Sequence, residues 1–453
     1  ETERKRSGTG AYRIFKAEFL ICGQKREKTT APVLKRRQGR FRMQKQDRAA
    51  GEALRDEILK EAELLSDSLV QNRRRLHEQA ETGFELSGTV QIVKNALEEL
   101  GIRPIDCGKN GIVAQIEGKT PGKVFLLRAD MDALPVGEET GLPFAAKNGN
   151  MHACGHDLHT AMLLGAAKIL KARENQLKGT VKLMFQPAEE IFCGSQEMIA
   201  HGVLENPKPD GAVMLHVMSG IPMKTGSALV SAPGVSAPGA DYFEICVQGK
   251  GCHGSMPNLG VDPVTAAAHI VIALQELQAR ELSLNDRAVL TIGQIHGGSV
   301  SNVIPEKVVL SGTLRTYDET IRAHLKERIK EIASGIAGSF RAKAETTFGT
   351  GCPSLFNDKE LCESAGKYVG ELLGPKGTAA KEESGKLGSA GSEDFAYISR
   401  QTPSVMIALG AGNAEEGYLY PQHHPKVQFD EAALPTGCAL YAYIALRWLE
   451  EHS

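Results

Sequence analysis

The sequence is poor in several things at once. It has one tryptophan in 453 residues, nine cysteines, and no excess of either charge, with 53 Lys+Arg against 55 Asp+Glu. The cysteines are odd in number, scattered from Cys22 to Cys438, and form no CxxC pair. That excludes a disulfide framework and a zinc ribbon, and points to a reducing, cytoplasmic setting. Balanced charge excludes nucleic-acid binding through a basic surface. No apolar run approaches the ~18 residues of a membrane-spanning helix, since even TAAAHIVIAL is short and carries His269. We therefore expect a soluble protein with neither a nucleic-acid nor a membrane partner. No internal repeat or low-complexity array is visible.

What is present is an ordinary globular balance, with 42% hydrophobic residues, 48 glycines and enough length for two or three domains. Charge is uneven at one end only. Residues 1–42 hold 13 Lys/Arg and 4 Asp/Glu, so the remainder is net acidic. We read residues 1–50 as a basic, disordered leader or an upstream extension outside the functional unit, with Met43 a candidate natural start.

From Gly51 the pattern alternates helix and short strand, the signature of an α/β sheet covered on both faces. SGTVQIVKNALEELG reads as a helix capped by Ser87 or Thr89 and closed by Gly101. GIVAQIEG and KVFLLRADMD read as strands joined by a turn over Gly118 to Gly122, HDLHTAMLLGAAKILKA as a helix, and TVKLMFQ and DGAVMLHV as buried strands. Composition shifts to Pro/Gly/Ser/Ala over 231–240, as at a domain crossing. The next segment reads β-α-β-β-α-β, the ferredoxin-like plan. The expected architecture is a hydrolase-like α/β catalytic domain over 51–239 and 350–453, interrupted by a ferredoxin-like α+β domain at 240–349.

The densest polar feature is MHACGHDLHT, with Cys154 and His156 two apart before a helix. Thiolate and imidazole ligate zinc-like ions, and a helix N-terminus helps hold a thiolate ionised. A buried thiol beside a capping histidine is the alternative. FQPAEE ends a buried strand with Glu189 and Glu190, whose side chains leave in different directions, so one can hold a metal while the other acts as general base. Two solvated surface acids would be the plainer explanation, but the apolar KLMF before them argues against it. His216 lies within AVMLHV, where a satisfied core histidine is the common case, and His423-His424 precede Pro425 in a loop. Ligands of a doubly wound sheet collect at the carboxyl ends of its strands, so convergence of these clusters on a two-metal hydrolytic centre is the economical reading.

RADMDALP, MHACGHD, FQPAEE, LHV, GKGCHGSMP, SNVIPE, GTLRTYD, GSEDF and HHPKVQFDE occur in this order. Together, over about 380 residues, they resemble the aminoacylase and carboxypeptidase family of metallopeptidases. The match is to its amidohydrolase branch, which includes hippurate hydrolases and plant indoleacetyl-amino acid hydrolases. The resemblance implies that Cys154, His156, Glu190, His216 and His423 hold two divalent metal ions (Zn2+, Mn2+ or Co2+), with Glu189 as general base and Asp132 orienting ligands. Relatives with a histidine-any-aspartate motif use that histidine as a ligand; this chain has Asp130 there. It also implies that His253 stabilises the oxyanion, often of the other subunit, and that Asn302 and Arg315 contact substrate, in a homodimer formed through the inserted domain. The implied reaction is hydrolysis of an N-acyl-L-amino acid. A dipeptidase or carboxypeptidase on the same centre, or a non-catalytic metal-binding relative, stand as alternatives. Two departures from the family pattern are Ile191-Phe192-Cys193, which would reshape the pocket wall, and Ala80 in place of a proline; His77 nearby reads as a structural helix residue.

Overall fold

A computed structural model describes residues 51–375, 377–378 and 391–453. The basic leader expected over 1–50 lies outside the described residues. The principal elements of the unit Ala53–Ser453, in chain order, are the helices α1 (Ser66–Gln79) and α2 (Ser87–Glu99), then strands β1 (Ile105–Asp106), β2 (Ile112–Glu117) and β3 (Thr120–Asp130). Helix α3 (His156–Ala172) comes after them, then β4 (Lys178–Gln186), β5 (Gly211–Met218) and β6 (Ala228–Val230). Next come β7 (Gly239–Gln248), α4 (Pro263–Glu276), β8 (Ala288–Gly297), β9 (Lys307–Thr316), α5 (Glu319–Ser339) and β10 (Lys343–Cys352). The chain closes with α6 (Lys359–Leu373), β11 (Ser404–Gly410) and α7 (Leu434–Glu451).

Seven strands form a mixed sheet in the order β1-β2-β4-β3-β5-β11-β6. The central β4, β3, β5 and β11 run parallel and the flanking strands are antiparallel. β2 and β3 are consecutive but do not pair, because β4 lies between them. The turn expected from Gly118 to Gly122 is shorter than its glycines suggest, since β3 already begins at Thr120. The seven residues of β3 from Val124 to Asp130 are all buried, as a strand covered on both faces requires. Helices α3 and α7 cover one face; the single tryptophan, Trp448, stacks on Phe125 of β3 at 4.6 Å between ring centroids. Tyr441 of α7 donates to the carbonyl of Arg128 at 2.6 Å and accepts from the Leu215 amide at 3.1 Å, tying β3 to β5.

β7, β8, β9 and β10 form a second, fully antiparallel sheet in the order β8-β9-β7-β10, with α4 and α5 on one face. This is the ferredoxin-like arrangement. Its own core joins Phe243, Ile245, Val247, Ile270, Leu310 and Ile329. Pro263 occupies the first turn of α4 and Asp262 accepts the Val264 amide, so that helix starts where its sequence says it should.

Helix α2 corrects one expectation. Its N-cap position is Leu86, and neither Ser87 nor Thr89 caps it. The carboxylate of Glu81 accepts the amides of Gly88 and Thr89 at 3.1 and 2.8 Å instead. A long side chain from the preceding loop does what a short one at the cap usually does. Among the described residues no helix is long and apolar enough to cross a membrane.

Candidate metal centre and active site

Both faces of the main sheet are packed, so the exits for functional side chains are the carboxyl ends of its parallel strands. β3 ends at Asp130, β4 at Gln186 and β5 carries His216 near its end. The loop after β3 brings Asp132, whose carboxylate accepts the Glu189 amide at 3.0 Å and the Glu190 amide at 3.1 Å. One side chain thus sets the backbone that carries both glutamates. Ala188, just before them, and Phe192, just after, have φ of 54° and 55°. Left-handed backbone at two non-glycine residues costs free energy and persists only because surrounding contacts hold it.

His156 is the first residue of α3. Gly155 before it has φ of +91°, and a Cβ there would meet Val217 Cγ2 at 2.4 Å, so only glycine lets the turn approach β5 this closely. His156 Nδ1 donates to the Asp132 carbonyl at 2.8 Å, and His216 Nδ1 donates to the Val217 carbonyl at 2.8 Å. Each ring therefore turns its Nε2 into the site, the outer-contact pattern of ligating histidines. Cys154 Sγ lies 3.7 Å from His216 Nε2; Glu190 Oε1 lies 3.9 Å from His156 Nε2 and 3.6 Å from His423 Nε2. His423, another non-glycine residue in left-handed backbone with φ of 67°, donates its amide to the Ala153 carbonyl at 2.9 Å. His424 faces elsewhere, stacked on Tyr420 with centroids 4.4 Å apart. Cys154, His156, Glu189, Glu190, His216 and His423 converge, although 269 positions separate the first from the last.

Two buried atoms in this cluster have no hydrogen-bond partner, His156 Nε2 and Glu190 Oε1. Burial of unpartnered polar atoms is costly, and here they lie 3.9 Å apart, with Asp130 Oδ2 3.6 Å from His156 Nε2. Burial and then the neighbouring Glu190 push the Cys154 thiol up to about 12, so the helix N-terminus alone does not keep it ionised as the sequence suggested. Burial, opposed by His156 and reinforced by Asp132 and Asp130, pushes Glu190 up to about 7. Burial opposes charge on His156 too, yet Asp130 and Cys154 raise its proton affinity well above the usual imidazole value. The field is thus strongly negative and short of positive charge. A thiol, a carboxylate and three imidazoles, with two orphaned donor atoms among them, suit borderline divalent ions, and these residues fit a metal centre.

Glu189 is buried beside this set, and its proton affinity is raised well above the carboxylate range by burial and then by Glu393, Glu190 and Asp394. Behind it stands a buried ionic cluster that the sequence reading did not resolve. Arg128 of β3 bonds Asp130 at 2.6 Å, Glu393 at 2.8 Å, Asp394 at 3.2 Å and Gln186 at 2.9 Å. Asp130, where relatives with the histidine-any-aspartate motif have a ligand, is held by Arg128 and by His159 Nδ1 at 2.5 Å. The signal was there: a charged residue inside FLLRAD demands buried counter-charge, and GSEDF supplies it. Gln422, also unanticipated, donates to the carbonyls of Cys154 and Val217 at 3.0 and 3.1 Å.

A cavity of ≈ 790 Å³ opens over the cluster, lined at one end by Cys154, Glu189, Glu190, His216 and His423. The ferredoxin-like sheet lines the other end with Tyr242, Arg287, Arg315 and Tyr317. Arg315 donates to Ser392 Oγ at 2.6 Å and lies 6.0 and 5.9 Å from the ring centroids of Phe192 and Tyr242. Phe192, one of the departures from the family pattern, is thus part of the wall. His253 and Asn302 are not brought to this cavity. They sit side by side and exposed on a two-strand ribbon pairing Cys252–His253 with Val303–Ile304, where Gly254 donates to the Asn302 carbonyl at 2.7 Å.

The model of Peptidase family M20/M25/M40 matches residues 126–447. The chain belongs to this family. It is a metal-dependent hydrolase of amide bonds, in the amidohydrolase branch. Its sequence is 36% identical over 385 residues to an N-acetylcysteine deacetylase of Bacillus subtilis, covering 84% of this chain and 97% of the relative. It is 37% identical over 395 residues to an IAA-amino acid hydrolase of Arabidopsis thaliana, covering 85% and 86%. A solved Bacillus subtilis structure, described as a dinuclear metal binding peptidase of the M20 family, superposes with a TM-score of 0.71 at 33% identity, over 86% of this chain and 99% of that one.

Proposed function

We propose that the chain hydrolyses the amide bond of N-acyl-L-amino acids. Cys154, His156, Glu190, His216 and His423 hold a pair of divalent cations (Zn2+, Mn2+ or Co2+), and Glu189 is the general base. The observation that carries this reading is the cavity itself. It has a buried, proton-avid Glu189 beside an incompletely satisfied ligand set at one end and a guanidinium at the other. The cations, when bound, supply Lewis acidity and lower the pKa of a water nearby.

Glu189 takes one proton from the attacking water, whose oxygen bonds to the acyl carbon, and returns it to the nitrogen as the C–N bond breaks. One residue therefore acts first as base and then as acid. Asp132 keeps Glu189 and Glu190 in place through their amides. Arg315 takes the carboxylate of the amino-acid half with its planar fork, held by Ser392 and flanked by Phe192 and Tyr242. That spaces the scissile amide towards Glu189. His253 and Asn302, exposed together on their ribbon, reach a reacting carbonyl from a second copy of the chain, His253 to the oxyanion and Asn302 to the substrate. We assign the 240–349 segment to that homodimer contact as well as to the lid.

The test is to load purified protein with Mn2+, Co2+ or Zn2+ and assay N-acetyl and N-benzoyl amino acids beside dipeptides, following free amine. Release from the acylated amino acids supports the reading. Release from dipeptides alone would replace it with a peptidase.

A further inference from the structure

The lid wall of the cavity carries two guanidiniums, and the proposed hydrolysis uses one. Arg287 precedes β8, and its carbonyl accepts the Tyr317 amide at 3.3 Å, continuing the ladder that pairs Ala288 with Thr316 and Val289 with Arg315. Alternation along the ladder puts Arg287, Arg315 and Tyr317 on one face. Leu290 and Leu314 point to the other face, into the lid's own core. Arg287 and Arg315 are then diagonal neighbours, about 7–8 Å apart at the backbone and well within convergence of two long side chains. Both line the cavity.

Like charges at such positions repel, and a structure usually answers with a carboxylate. Here the answers are neutral. Arg315 bonds a serine hydroxyl at 2.6 Å and Arg287 lies over the Tyr317 ring at 3.8 Å from its centroid. Among the described residues no ion pair is made by either, whereas in the same segment Arg322 and Arg328 are paired to carboxylates and Arg280 and Arg341 donate to backbone carbonyls. The cavity's own acids are engaged elsewhere: Glu393 pairs with Arg128, and Glu189 and Glu190 stand with the cation ligands.

We propose that Arg287 is a specificity-determining residue and that the substrate is an N-acylated acidic amino acid. Its α-carboxylate is taken by Arg315 and its side-chain carboxylate by Arg287. The two guanidiniums share one strand pair, so the second anion they select lies on the same half of the substrate as the first. An acyl-side carboxylate would leave towards the other end of the cavity. Aromatic faces at Tyr242 and Tyr317 give the intervening methylenes an apolar path. This inference rests on the proposed amidohydrolase reading.

The experiment compares kcat/KM of the metal-loaded full chain on N-acetyl-glutamate and on its neutral near-isostere N-acetyl-glutamine, with N-succinyl-alanine as the acyl-side diacid. The expected ratio of glutamate to glutamine is about tenfold or more, one charge-assisted contact in a partly enclosed site. In Arg287→Met that ratio falls towards unity, and in Arg287→Lys it is partly kept; reading a ratio cancels any loss common to both compounds. Cleavage of all compounds without preference, or a preference for N-succinyl-alanine, overturns the inference and leaves the hydrolase reading standing. If no compound is cleaved, the hydrolase reading fails. Calorimetry of the wild-type protein with N-acetyl-glutamate and N-acetyl-glutamine then decides the anion site, equal affinities overturning it.

Discussion

At the residue scale the site depends on groups that would be unstable alone. Glu189 is buried and crowded by Glu190, Glu393 and Asp394, so it holds a proton more strongly than a surface carboxylate does. Glu189→Gln keeps shape and burial but removes the base. We expect kcat to fall by about 10²–10⁴-fold, with metal content by elemental analysis close to wild type; activity within a few-fold of wild type would remove Glu189 from the proton path. Cys154→Ser keeps a small polar side chain and loses the soft donor. Metal titration should then show weaker occupancy, and an unchanged isotherm would strike Cys154 from the ligand set. At this scale the sequence was legible where a residue type itself limits the chemistry. A Cys-x-His before a helix and two glutamates after an apolar strand announce themselves. His216 did not, because a histidine in AVMLHV looks like a core residue. Only the hydrogen bond from its Nδ1 to Val217 shows its other nitrogen turned to the cavity.

At the element scale the first turn of α3 is locked from outside. Asp157 accepts from Arg73 Nε at 2.8 Å and pairs with His77 Nδ1 at 2.8 Å, while His77 Nε2 meets Glu138 at 3.1 Å. Helix α1 thereby orients the turn that begins at His156. His77, expected to be a structural helix residue, is one, and its contacts explain why it is histidine: both ring nitrogens meet carboxylates. Arg73→Met removes one partner of a buried pair and should cost about 3–5 kcal/mol in denaturant unfolding. Glu81→Gln tests the long-range cap of α2 and should cost about 1 kcal/mol; no change would show that solvent serves those amides equally well. His77 also sets a pH signature. Burial opposes its charge, but the bonds to Asp157 and Glu138 outweigh that and raise its pKa above 6.5. The stability it contributes is therefore complete below pH 6.5 and is lost as pH rises through the raised value. Unfolding of His77→Asn, compared with wild type across pH 6 to 9, should lack that alkaline decline. An identical pH profile would show that the pair carries none of it. The caps at Asp262 and Asp318 could be read from neighbouring residues; the Glu81 cap could not, because its partners lie seven and eight residues away across a loop.

At the scale of the whole molecule, one end of the sheet collects negative charge and the lid offers positive charge across the cavity. A divalent ion that binds the folded site and not the unfolded chain stabilises by mass action, about 2.7 kcal/mol at a hundredfold excess over Kd. Added Zn2+, Mn2+ or Co2+ should raise the thermal midpoint of the wild-type protein, and a chelator should reverse it. Glu190→Gln should blunt the rise, since Glu190 faces both His156 and His423. A midpoint indifferent to metal and chelator alike would contradict the proposed centre.

The sequence by itself determined the period and burial of the elements, the ferredoxin-like order of the inserted segment and the residue types able to bind a cation. These come from local propensity and from chemistry that each side chain carries wherever it sits. The tertiary structure alone decided that β4 lies between β2 and β3, that Asp132 holds Glu189 and Glu190 through their amides, and that Asp130 belongs to Arg128 and His159. It also decided that Arg287 shares a cavity with residues more than a hundred positions away. Such facts depend on which surfaces meet when the chain closes on itself. Partnership, orientation and lost hydration are properties of that meeting, and a one-dimensional pattern carries no distance between residues that only folding brings together.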